Sequence, residues 1–111
     1  MSTLSKKKCT VCEGGVSPLN KSEAERYLSD VPGWTLDQNA KYIERKFVFK
    51  GFYATMFLVN AIAYIAQQEG HHPDMAIGYN YCHVKLSTHA INGLSENDFI
   101  MAAKINELVA L

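Results

Sequence analysis

No stretch of this chain approaches the roughly 18 to 20 consecutive apolar residues that a membrane-spanning helix needs, and the opening segment, MSTLSKKKCTVCEGG, lacks the apolar centre of a secretory signal. Neither membrane insertion nor export is expected, and the expected location is the cytoplasm. Net charge is missing too. Eleven basic and eleven acidic residues cancel, which leaves none of the basic excess on which nucleic-acid binding draws. The one basic run, Lys6-Lys7-Lys8, reads as a solvated tail. Cysteine is scarce and odd in number: Cys9, Cys12 and Cys82 make no disulfide framework in a chain without an export signal. Cys9-x-x-Cys12 has the spacing of half a zinc site, but no second C-x-x-C or H-x3-H pair completes a tetrahedral set. No metal is expected, and no internal repeat is visible.

What remains is the composition of an ordinary globular protein, 48% hydrophobic and 20% charged over 111 residues, enough for one domain with a continuous core. Residues 1–19, ending in Gly14-Gly15 and Pro18-Leu19, read as a flexible leader, and residues 20–111 as the folded domain. A first helix is expected over Ser22 to Leu28, capped by Asn20 or Ser22 and broken by Pro32-Gly33. Tyr42 to Phe49 alternates as a half-buried strand. Phe52 to Glu69 is the longest candidate helix, with Phe52, Met56, Val59, Ala63 and Ala66 on one stripe and Leu58, Ala61, Ile62 and Ile65 beside it. Gly70 suits its left-handed cap. Asp74 to Tyr79 and Tyr81 to Leu86 follow as strands, the second placing Cys82, Val84 and Leu86 on one face. A last helix starts near Ser95, with Asp98 reaching back in a capping box and Met101, Ile105, Leu108 and Leu111 as its buried stripe. Strands that outnumber parallel crossovers imply an α+β fold: a two-layer sandwich with an antiparallel sheet of about four strands and helices on one face.

The chemistry sits in the histidines. His71-His72-Pro73-Asp74 and Thr88-His89 place three of the four in two short segments, one at each end of the expected pair of strands. Histidine donates and accepts protons near neutral pH, with an unperturbed pKa of about 6.5. Pro73 pushes His72 toward an extended backbone, which limits where its ring can point. His83 shares a strand face with Lys85 and reads as an exposed bystander.

The ordered set Pro32-Gly33-Trp34, Glu69-Gly70-His71-His72-Pro73-Asp74, Val84-x-Leu86-x-Thr88-His89 and Gly93-Leu94-Ser95 with Asp98 resembles the pterin-4-alpha-carbinolamine dehydratases. Cys12-Glu13-Gly14-Gly15 and Pro18-Leu19 resemble the leader of bacterial members. The resemblance implies a lyase that removes water from a 4a-hydroxytetrahydropterin, the product of an aromatic amino-acid hydroxylase, and yields a quinonoid dihydropterin. It implies no cofactor, a homodimer or homotetramer assembled through the helices, and a functional link to such a hydroxylase. Carried over by residue, it makes His71, His72 and His89 the catalytic set, with His71 and His89 transferring protons and His72 orienting the pterin. Gly70, Pro73, Ser87, Thr88, Ala90 and Trp34 become substrate-binding positions, with Trp34 as a wall. Asp98 matches a family aspartate that either anchors this region or caps the last helix, and the cap is the favoured reading. One departure stands out: mammalian relatives carry glutamate four residues before the first histidine, where this chain has Gln67, which cannot balance an imidazolium by charge.

Two other classes compete. An oligomeric interaction module, coactivator-like and with little catalysis, would keep its partner after loss of His71 and His89. A metal protein built on Cys9 and Cys12 would carry stoichiometric zinc.

Overall fold

The computed structural model describes residues 3–10 and 16–110. Cys12, Glu13, Gly14, Gly15 and Leu111, which figure in the expectations above, lie outside the described residues. The elements run α1 (Lys21–Leu28), β1 (Thr35–Leu36), β2 (Ile43–Val48), α2 (Phe52–Glu69), β3 (Asp74–Ile77), β4 (Tyr81–Leu86) and α3 (Glu96–Val109), with 3-10 turns at Leu4–Lys6 and His89–Ile91. The strands form one antiparallel sheet in the order β1-β2-β4-β3. Alternation along β4 buries Cys82, Val84 and Leu86 in the core shared with the helices. The result is the expected α+β sandwich of a four-stranded sheet and helices.

Local chemistry sets the ends of the helices. The Asn20 side chain accepts the Glu23 N–H at 2.8 Å while the Glu23 carboxylate accepts the Asn20 N–H at 2.9 Å, so α1 begins at Lys21. Gly70 stops α2 in the left-handed region, at φ 66°, a conformation glycine takes without a Cβ penalty.

Helix α2 is apolar on almost every side, so periodicity alone does not choose its buried face. Packing selects Thr55, Leu58, Val59, Ile62 and Ala66. Phe52 and Ala63 of the expected stripe face outward, Phe52 lying instead against Tyr79 with ring centroids 6.4 Å apart. Tyr53, Phe57 and Tyr64 are also exposed.

Helix α3 is buried from Asn97 to Ala103, on more sides than one amphipathic stripe would cover. The extra cover comes from the segment read as a flexible leader. Residues 3–10 lie along α3 with Leu4 in the core, Lys104 donating to the Ser5 carbonyl at 2.8 Å, and Lys7 paired with Glu96 at 2.7 Å. Poor periodicity does not register a stretch of chain held by scattered polar contacts and one buried leucine.

Candidate active site

The histidines are positioned by two chain exits. Gly70 and His71 both donate to the Ala66 carbonyl, at 2.9 and 3.3 Å, so the chain leaves α2 with His71 directly beyond the cap and Pro73 leading into β3. On the other side β4 ends at Leu86. The backbone then closes a loop in which the Thr88 N–H donates to the Gly93 carbonyl at 2.7 Å, with Asn92 in the left-handed region at φ 53°. The 3-10 turn inside that loop presents His89 and Ala90.

Between these exits lies a cleft of about 220 Å³ lined by Gly70, His71, His72, Ser87, Thr88, His89, Ala90, Thr10 and Asn97. The histidines of both segments therefore share one cleft, together with four of the six positions read as substrate-binding. Pro73 borders the site only through the chain, since it does not line the cleft. Trp34 is a correction: it is buried in the core, edge-on to Phe47 at 6.3 Å, with its indole N–H donating to Asn106 Oδ1 at 2.8 Å. A tryptophan's large apolar body finds more to bury under the sheet than at an open polar cleft. Three larger hollows, of about 370, 470 and 290 Å³, are lined by Leu19, Tyr27 and Asp30, by Pro32, Arg45 and Asn106, and by Ile65, Gln68 and Leu108 respectively, and none holds a histidine.

Asp98 organises the cleft from beneath. Its carboxylate is fully buried, and Oδ1 lies 2.6 Å from His71 Nε2, whose side chain is 11% exposed. Oδ2 accepts the Thr88 hydroxyl at 2.8 Å and the Ser95 N–H at 3.0 Å. A buried carboxylate needs such partners. With Nε2 engaged by an anion that only accepts, Nε2 carries the proton and Nδ1 is the ring nitrogen left free. Asp98 thus caps α3 and anchors His71 at once, so choosing the cap alone understated it. It also supplies the carboxylate that Gln67 does not: Gln67 is exposed, and the neighbouring Glu69 is turned to the Cys9 N–H at 2.8 Å and Lys104 at 3.8 Å.

The other rings are freer. His89 is 77% exposed and its Nε2 lies 3.9 Å from Asp74, itself 71% exposed. His72 is exposed at the cleft. His83, the expected bystander, pairs with Glu44 on the sheet at 2.8 Å. Thr10 and Asn97 were missed. Nothing local to Thr10 signals a site, and Asn97 reads as an ordinary first-turn residue. Beside them the Cys9 thiol donates to the Asn97 carbonyl at 3.7 Å, and burial, followed by the nearby Glu69 carboxylate, pushes its pKa up to about 12.

Residues 17–108 match the family model described as Pterin 4 alpha carbinolamine dehydratase. A relative from Nitrosomonas eutropha, provisionally named a pterin-4-alpha-carbinolamine dehydratase, is 55% identical over 96% of this chain and 93% of its own. A like-named protein from Legionella pneumophila (strain Lens) is 50% identical over 97% of this chain and 96% of its own. Among solved structures, a transcriptional coactivator/pterin dehydratase from Brucella melitensis superposes with a TM-score of 0.78 at 34% identity, covering 83% of this chain and 98% of that one. A pterin dehydratase-like protein identified as a RuBisCO assembly factor in the alpha-carboxysome shares the fold, with a TM-score of 0.60 at 20% identity over 71% of this chain and 92% of that one. With a family match across most of its length and relatives at half identity end to end, the chain belongs to the pterin-4-alpha-carbinolamine dehydratase family.

Proposed function

We propose that this protein dehydrates a 4a-hydroxytetrahydropterin to the quinonoid dihydropterin by histidine acid–base catalysis, returning the spent cofactor of an aromatic amino-acid hydroxylase to use. The observation that carries the reading is the convergence of His71, His72 and His89 on one cleft, with His71 held by the buried Asp98.

The reaction breaks one carbon–oxygen bond and moves two protons. His89, open to solvent, donates a proton to the 4a-oxygen so that it leaves as water rather than hydroxide. The ring nitrogen beside carbon 4a supplies the electron pair of the new double bond and gives its proton to His71 Nδ1. The Asp98 carboxylate then balances the protonated His71 ring across the 2.6 Å contact. His71 returns its proton to solvent and His89 takes one up, so the net product is water and no redox step occurs. His72, without a hydrogen-bond partner among the described residues, is free to orient the heterocycle.

The test is a coupled dehydration assay corrected for the spontaneous reaction. Positioned acids and bases are worth about 10²- to 10⁴-fold, and His71→Ala is expected to lose most of that gain. A wild-type rate equal to the spontaneous one would sink the proposal.

The exposed Tyr53, Phe57 and Tyr64 on α2 favour self-association through this helix into a dimer or tetramer, since apolar side chains gathered on one helix face mark an interaction surface. The double variant Tyr53→Glu, Phe57→Glu is expected to sediment as a smaller species than wild type. A monomeric wild type at tens of micromolar would refute this.

A further inference from the structure

Residues 3–10 do more than cover α3. The Thr10 N–H donates to Asn97 Oδ1 at 3.0 Å, and Asn97 Nδ2 donates back to the Thr10 carbonyl at 2.6 Å. One residue earlier, the Cys9 N–H donates to Glu69 Oε1 at 2.8 Å. Glu69 is the last residue of α2, two before His71, and Asn97 directly precedes Asp98. The segment is therefore fastened to both helix ends that carry the histidine–carboxylate pair. Its far end is anchored by the buried Leu4, by Ser5 and by the Lys7–Glu96 pair.

Thr10 and Asn97 both line the cleft. Asn97 spends its amide on the Thr10 backbone, and no described residue takes the Thr10 hydroxyl. A paired backbone beside an uncommitted hydroxyl is how a rigid polar contact for a ligand is built. The match to the family begins at residue 17, so this segment lies outside the part of the chain that defines the family.

We propose that the segment is a built-in wall of the substrate cleft, and that Thr10, held in place by Asn97, gives its hydroxyl to the hydrogen-bonding edge of the pterin. The inference rests on the dehydratase reading and extends it: the histidines move protons, while the N-terminal segment contributes to recognition. Thr10 contacts substrate, and Asn97 is a positioning residue acting through it.

The experiment uses the full chain and two readouts: quenching of the intrinsic fluorescence of 7,8-dihydrobiopterin on binding, which needs no turnover, and the dehydration assay. Thr10→Val removes the hydroxyl while keeping shape and both backbone bonds. It is expected to weaken pterin binding and raise KM about fivefold, the size of one neutral hydrogen bond, with kcat within about twofold. Asn97→Ala is expected to do the same or more, and Asn97→Gln not to restore the wild-type value, because its longer side chain misses the paired backbone. Lys8→Ala, on the same segment but outside its contacts, should bind as wild type. Unchanged binding in Thr10→Val overturns the inference, as does a fall in kcat with KM unmoved; this arm decides the matter should Asn97→Ala fold poorly. A wild type that binds pterin but does not accelerate dehydration overturns the catalytic reading and leaves the wall standing, whereas a wild type that binds no pterin overturns both.

Discussion

Replacing Asp98 by asparagine would keep the shape of the side chain while removing its charge and changing the pattern of donors and acceptors around it. The native carboxylate accepts from three groups: His71 Nε2 at 2.6 Å, the Thr88 hydroxyl at 2.8 Å and the Ser95 N–H at 3.0 Å. An amide has one oxygen, so two orientations compete. With the oxygen toward His71, the NH2 group faces the Ser95 N–H in a site with no solvent, and two unmatched buried donors cost about 1–3 kcal/mol. With the oxygen kept on Ser95 and Thr88, the NH2 faces His71 Nε2, which must then accept, and the ring proton moves to Nδ1. That second orientation is preferred by about tenfold to a hundredfold, at roughly 1.4 kcal/mol per factor of ten. It blocks the nitrogen assigned as the base. Between about 1% and 10% of molecules would keep the competent tautomer, and loss of the anion beside the protonated ring adds to the deficit. The expected result is a fall in kcat of about 10²-fold or more with KM little changed. Because the Ser95 and Thr88 contacts survive, the fold should be weakened by no more than about 1–2 kcal/mol. Stopped-flow dehydration, corrected for the spontaneous rate, reads the first quantity, and urea unfolding the second. A folded variant whose kcat stays within about threefold of wild type would refute the assignment of Asp98 and His71 as a working pair.

Three further outcomes follow from the geometry. With its pKa pushed up to about 12, the Cys9 thiol stays protonated at pH 8, and its alkylation by iodoacetamide should be far slower in the native protein than in urea; equal rates would contradict the burial. Since folding raises this pKa, the stabilisation is fully present below the unfolded thiol's value of about 8.5 and declines as pH rises from there toward 12, a loss that Cys9→Ser should remove. Gly70→Ala meets no atom within 4 Å but must hold φ near +66°, so it is expected to cost about 1–2 kcal/mol and to disturb His71 next to it, lowering activity beyond what stability explains; an unfolding midpoint equal to wild type would show that the cap is not strained.

Much of the architecture is written in local pattern. Period two along Tyr81 to Leu86 names the buried face of β4 because successive side chains must alternate. Asn20 with Glu23 and Gly70 after Glu69 mark helix ends because exposed backbone groups there need partners, or a residue tolerant of positive φ. The His71-His72-Pro73-Asp74 and Thr88-His89 segments announce the chemistry because few side chains move protons near neutral pH. What stays hidden from the chain is every pairing between distant segments: that Asp98 reaches His71 across 27 positions, that Thr10 meets Asn97, that Trp34 goes under the sheet, that α2 buries Leu58 and Ile62 and exposes Phe57 and Tyr64. A run apolar on all sides has no preferred face until a sheet and a second helix arrive to choose one. A carboxylate has no assigned duty until the fold removes its water and leaves it three donors to satisfy.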